Sequence, residues 1–143
     1  FLVAMQGALG IGANLNKWTS EDTKLATEMV ALDKRIRDTV QNGNLYRLIS
    51  PRSGDMTANQ YVSADGRESV LFAFRHSQQY RTAAPLVYPT ALDPKATYRL
   101  ESPDGKLAAE ASEVSGAFLM GHGVQLTLTG DYDSTALLFH RTR

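Results

Sequence analysis

The stretch TSEDTKLATEMVALDKRIRDTVQNGNLYRLI, residues 19–49, decides the fold, because the spacing of apolar residues changes within it. Leu25, Met29, Leu32, Ile36 and Val40 recur at intervals of four, three, four and four, which lines them up as one stripe of an α-helix. Thr19 or Ser20 can cap the helix, Glu21 and Asp22 place negative charge in its first turn, and Lys34, Arg35 and Arg37 place positive charge towards its end. Asp33 and Arg37 are spaced to pair on the opposite surface. Asn42-Gly43-Asn44 ends the helix, with glycine expected in the left-handed conformation that closes helices. This is an amphipathic helix that must lie on something.

After Gly43 the period becomes 2 and stays so to the C-terminus. Asp65-Gly66 joins Tyr61-Val62-Ser63 to the strand from Ser69 to Phe74, whose Val70, Phe72 and Phe74 share one face. From Ala96 to Glu101, Tyr98 and Leu100 point inward and Thr97, Arg99 and Glu101 outward, before a turn at Pro103-Asp104-Gly105. Val124, Leu126 and Leu128 alternate with Gln125, Thr127 and Thr129 in the cleanest strand pattern of the chain, and Gly130-Asp131-Tyr132-Asp133 turns into a final strand with Leu137 and Phe139 on one face. Weaker strands at Leu45–Ile49, Leu86–Tyr88, Lys106–Ala111 and Ala117–Met120 bring the number to about eight. The expected fold is mainly β, an antiparallel sandwich, preceded by one βα unit.

That unit comprises the glycine-rich run Phe1–Ala13, expected as a buried strand, and the helix. A lone βα unit cannot bury both faces of its strand, so it must pack on the sandwich or belong to a larger α/β domain. The chain therefore divides into residues 1–44 and 45–143. Phe1 in place of methionine suggests a processed product or a piece of a longer chain. The apolar run has no basic leader, unlike a signal peptide, and is too short to span a bilayer.

The 143 residues are 43% hydrophobic and 21% charged, with 15 basic and 15 acidic side chains and no cysteine. Such a chain can build a packed core and is not disordered. Without cysteine there is no disulfide framework, thiolate metal site or cysteine nucleophile, although the compartment stays open. Zero net charge and scattered basic residues argue against a nucleic-acid partner, and no segment reads as a membrane span.

Candidates for chemistry are few. Most of the carboxylates lie on the helix or in turns, while Glu68, Glu101, Glu110 and Glu113 fall on strands or their edges and face the polar side. His76, His122 and His140 are widely spaced, so no metal site is expected; His122 reads as part of a tight turn and His140 as an outward strand residue. Gly7, Gly10 and Gly12 run in the reverse order of the dinucleotide fingerprint and are better explained by close backbone packing. No cofactor is implied. Asn14, Asn16 and Trp18 follow the first strand, a position where a sugar contact is conceivable, although capping and packing explain them more simply.

Met5-Gln6-Gly7-Ala8-Leu9-Gly10-Ile11-Gly12-Ala13-Asn14-Leu15, with the helix end Ile36-Arg37-Asp38-Thr39-Val40 and the following Gly43-Asn44-Leu45-Tyr46, resembles the last barrel strand and helix of the glycoside hydrolase family 36 α-galactosidases. Leu92-Asp93-Pro94 with Tyr98, and Gly130-Asp131-Tyr132-Asp133-Ser134, are similar to that family's C-terminal domain. The resemblance implies a parent enzyme with a (β/α)8 catalytic barrel and a C-terminal antiparallel sandwich. It implies retaining hydrolysis of terminal α-galactosides in galactose-containing oligosaccharides, by two aspartates about 5 Å apart on earlier barrel strands. The motifs carrying those aspartates do not occur here, so no catalytic residue is assigned to this chain. Many members carry acidic residues in the last strand where this chain has Ile11 and Asn14. A homo-oligomeric parent is compatible with the family. The helix stripe is then expected to cover barrel surface, and the chain to be structural and inactive alone. The rival reading is a non-catalytic carbohydrate-binding sandwich that uses Tyr80, Tyr88 and Tyr132.

Overall fold

The computed structural model describes residues 1–78, 80, 82–107 and 113–143. Helix α1 (Leu2–Met5) and a 3-10 turn at Leu15–Lys17 precede helix α2 (Ser20–Asn42). Strands β1 (Asn44–Ile49), β2 (Met56–Val62), β3 (Glu68–Arg75), β4 (Thr97–Glu101) and β5 (Val114–Ser115) follow, then helix α3 (Gly116–His122) and strand β6 (Ser134–Arg141). The strands form one antiparallel sheet in the order β1-β2-β3-β6-β4-β5. The last strand of the chain thus lies in the middle of the sheet, between β3 and β4.

Helix α2 starts as its sequence dictates. The Thr19 hydroxyl accepts from the Asp22 N–H at 3.1 Å, and the Asp22 carboxylate accepts from the Thr19 N–H at 2.9 Å, a reciprocal cap that satisfies two otherwise orphaned donors. Its end differs from expectation. Gly43 has φ −86°, an extended conformation, and a Cβ there would lie 2.3 Å from the Thr39 carbonyl oxygen and 2.4 Å from that of Val62. Glycine is needed because helix end and strand β2 approach too closely for a side chain, not because the backbone is left-handed.

Alternation in β3 divides the molecule into two layers. Val70 and Phe72, with Ala136 and Leu138 of β6 and Tyr61 of β2, pack against Leu32, Ile36 and Val40 of α2 and against Met5. Leu71 and Ala73, with Leu137 and Phe139 of β6 and Tyr98 of β4, face the opposite core. That core is closed by α3 and by segments supplying Val87, Leu92, Val124, Leu126 and Leu128. The sheet is therefore covered by a helix on one side and by a largely irregular layer on the other.

The mainly β, antiparallel expectation stands, with six strands among the described residues where about eight were expected in the chain. Val124–Leu128 alternates as expected and its apolar residues are buried, and among the described residues it forms single bridges, Val87 to Val124 and Leu107 to Leu126. Residues 117–120 lie in α3, where the Ser115 hydroxyl caps by accepting from the Phe118 N–H at 3.2 Å. Of the expected strand at 106–111, residues 108–111 lie outside the described residues.

The N-terminal run is not a strand. Leu2–Met5 forms a helical turn closed by the Met5 N–H to Phe1 carbonyl bond at 3.0 Å. An isolated strand has no neighbour for its N–H and C=O groups, so local bonds satisfy them. Met5 is buried, while Phe1, Val3 and Ile11 are exposed. No atom comes within 4 Å of a Cβ built on Gly10 or Gly12, so close packing does not explain those glycines here. The run is tethered through Gln6: its side-chain oxygen accepts from Asn59 Nδ2 at 2.9 Å, and its carbonyl from the Tyr61 hydroxyl at 3.2 Å.

The helix stripe also divides. Leu32, Ile36 and Val40 are spent on the protein's own sheet, whereas Leu25 is 50% exposed, so only the N-terminal part of the stripe is left to face another surface. Asp33 pairs with Arg37 as spaced, but it is buried, not solvated.

Candidate functional site

The sequence candidates near the N-terminus turn out to be local. The Asn14 side chain accepts from the Asn16 N–H at 3.1 Å and caps the 3-10 turn. Asn16 is exposed and Trp18 half-buried.

Polar clusters arise instead where strand register and helix packing meet. On the helix-covered side, register sets Glu68 opposite His140 and Arg99 opposite His140. His140 Nδ1 faces the Glu68 carboxylate within hydrogen-bond distance, and Nε2 stands 3.5 Å from Glu101 Oε2. Arg35 reaches down from α2 and donates to both Glu101 oxygens, at 2.9 and 2.7 Å. This fork holds the Glu101 carboxyl below its ordinary range and raises the Arg35 guanidinium in return. The cluster ties helix to sheet; a carboxylate held ionised in this way does not donate protons near neutrality.

On the other side, Lys106 donates to Asp133 and to the Ser134 carbonyl, the latter at 2.9 Å. Burial pushes the Asp133 carboxyl up, but the Lys106 ammonium and N–H donation from Thr129 and Ser134 outweigh it and bring the group below its usual value. At the end of β3, the fully buried Arg75 guanidinium donates to Asp55 Oδ2 at 3.0 Å, Thr82 Oγ1 at 2.9 Å, the Leu128 carbonyl at 3.0 Å and the Ser77 carbonyl at 3.2 Å. Four segments are gathered by one side chain. His76 beside it meets the Thr57 hydroxyl at 2.6 Å.

Glycosidic acid catalysis needs a carboxyl pushed upward beside one kept ionised. Among the described residues, the carboxylates with displaced titration are Asp22, Asp65, Glu101 and Asp133, and all move downward. For Asp22 and Asp65 the cause is hydrogen bonding within their own cap and turn. Among the same residues, no group of three or more His, Cys, Asp or Glu side chains could hold a metal ion, and no helix is long and apolar enough to cross a membrane.

Of the three tyrosines, Tyr88 packs beside Gly123, where a Cβ would approach its ring to 3.1 Å. Tyr80 and Tyr132 project freely, 95% and 87% exposed. The clusters around Arg75 and His140 escaped sequence reading because their members are up to 72 residues apart. Arg75 did carry one signal, an arginine in phase with Leu71 and Ala73 on a buried strand face.

The described residues thus make a sheet with a helix on one face and charge clusters that bind its layers together. Residues 56–139 match the model of the glycosyl hydrolase family 36 C-terminal domain, and the chain belongs to that family. It is 34% identical to alpha-galactosidase C of Emericella nidulans over 97% of this chain and 17% of that protein. The crystal structure of the α-galactosidase AgaB from Geobacillus stearothermophilus superposes with a TM-score of 0.86 at 30% identity, over 99% of this chain and 18% of that one. A variant of AgaA from the same organism, in complex with raffinose, gives 0.86 at 27% identity over 99% and 19%. The chain thus spans less than a fifth of the length of these relatives.

Proposed function

We propose that this chain serves as the C-terminal part of an α-galactosidase, an enzyme releasing terminal α-galactose from galactose-containing oligosaccharides, and that it contributes structure and not catalytic groups. The observation that carries this is the similarity to α-galactosidases along 97–99% of the chain, joined to the downward displacement of every shifted carboxyl among the described residues. Residues 1–44 are the end of the catalytic barrel and residues 45–143 the C-terminal domain; the family match at 56–139 lies inside the second. In this reading Leu25 and Leu15 and the exposed Val3 and Ile11 face the remainder of the barrel. Raffinose bound to a variant of AgaA supports the oligosaccharide class of substrate. The test is hydrolysis of nitrophenyl α-galactoside. The 143-residue chain alone should give no turnover, and an enzyme formed by joining it to a family 36 barrel should give turnover. Activity of the chain alone would overturn the proposal.

A further inference from the structure

Among the described residues, three other than glycine have positive φ: Tyr80 at 56°, Ala91 at 54° and Tyr132 at 60°. Two of them are the two most exposed tyrosines of the chain. The left-handed region disfavours a bulky side chain and accepts glycine or asparagine readily, so folding stability alone gives no reason for tyrosine at these positions. Burial gives none either, since both rings stand in solvent.

The loops that carry them are fastened to each other. The Gln78 N–H donates to Asp131 Oδ1 at 2.7 Å, and the Gln78 side-chain oxygen accepts from the Gly130 N–H at 2.6 Å. Gln78 Nε2 donates to the Thr82 carbonyl at 2.9 Å, and Arg75 donates to the Thr82 hydroxyl at 2.9 Å. One glutamine therefore anchors Tyr80, two residues on, and Tyr132, one residue beyond Asp131. Tyr132 also borders an open hollow of about 370 Å³ that it shares with Phe1, Leu2, Val3, Phe74, His76 and Ser134.

We propose that Tyr80 and Tyr132 form a platform for galactose-bearing saccharide chains; this rests on the α-galactosidase reading for the class of ligand. Two exposed rings, with the Gln78 amide and the Asp131 carboxylate beside them in the chain, suit a ligand that is apolar on its flat faces and hydroxylated at its edges. A pyranose is such a ligand. In galactose the axial 4-hydroxyl clears the opposite face, so its C–H groups can lie on a phenol ring.

Affinity electrophoresis of the full chain through galactomannan tests this, with a gel lacking polysaccharide as reference. The chain should be retarded, and Tyr132→Asn or Tyr80→Asn should each weaken retention about two- to tenfold, as loss of one aromatic contact does. Because asparagine suits the left-handed backbone, both variants should keep or raise Tm, whereas a tyrosine with only a structural role would lower Tm and leave retention alone. Absence of retardation, or full retardation of the Tyr80→Asn, Tyr132→Asn double variant, would overturn the platform. Either result leaves the nitrophenyl galactoside test of the proposed function unaffected.

Discussion

The two faces of the sheet are built by opposite means. The helix-covered face depends on one regular element: Leu32, Ile36 and Val40 sit one turn apart on α2 and meet Val70, Phe72, Ala136 and Leu138. The loop-covered face holds more buried side chains, gathered from segments scattered between Met56 and Phe139, and among the described residues its layer has two isolated bridges and no second sheet. The first face stands on local hydrogen bonds within a helix, which form whatever the helix packs against. The second must satisfy its backbone through side chains, and Arg75, Gln60, Gln125 and Asp133 do so: Gln60 bonds to both the carbonyl and the N–H of Thr90, and Gln125 to the Ala84 carbonyl at 2.7 Å. Irregular backbone is tolerated in a core when its polar groups are paired individually.

That contrast can be broken first at Arg75. Arg75→Met removes the donors of the Leu128 and Ser77 carbonyls and strands Asp55 beside the core, and should cost about 3–5 kcal/mol in urea unfolding. A cost below about 1 kcal/mol would show that the irregular layer holds without its anchor.

The neighbours Leu137 and Leu138 offer a matched pair, because one points to each face. Each leucine-to-alanine change should cost about 2–5 kcal/mol. Hydrogen exchange should separate them, with Leu137→Ala opening the layer from Ala84 to Leu128 and Leu138→Ala opening α2. Identical exchange maps would mean that the faces unfold as one unit.

Acid should act more strongly on the loop-covered face. Asp133 and Glu101 both have carboxyls held below their ordinary values. Their stabilisation is complete above the unfolded carboxyl range and is lost as pH falls through the lowered folded value, below about pH 4. Asp133, the less exposed of the two, should cost about 1.5–3 kcal/mol as Asp133→Asn at pH 7, against about 0.2–1 kcal/mol for Glu101→Gln. Both differences should shrink towards pH 3, as followed by thermal unfolding.

Smallest is Leu25→Ala. With that side chain half exposed, the change should move stability by no more than about 0.5 kcal/mol. A loss above 1.5 kcal/mol in the chain alone would show that the N-terminal half of α2 is anchored here.

Much of this fold was legible in the residues. Helix α2, its Thr19 cap, the Asp65-Gly66 hairpin and the inward phase of Tyr98, Leu137 and Phe139 all follow from spacing and turn chemistry that act within a few residues. Failures lie where the same pattern serves two purposes. Val124, Leu126 and Leu128 alternate because they are buried on one side, which a strand requires but does not monopolise. Phe1–Ala13 is apolar without a neighbouring strand to pair with. The candidate residues Asn14, Asn16 and Trp18 were visible; that Tyr80 and Tyr132 share a clamp through Gln78 was not, since 53 residues separate Gln78 from Asp131.

By itself the sequence determined which residues form α2, which side chains point into a core, and the family to which the chain is similar, because periodicity, capping and motif are local properties. Tertiary structure alone decided that β6 enters between β3 and β4, that Gly43 is required by the closeness of Val62 and not by its own torsion, and that a lone arginine gathers four segments. Those outcomes depend on which distant surfaces meet, and strand register, once set by burial, places every cross-strand partner at once.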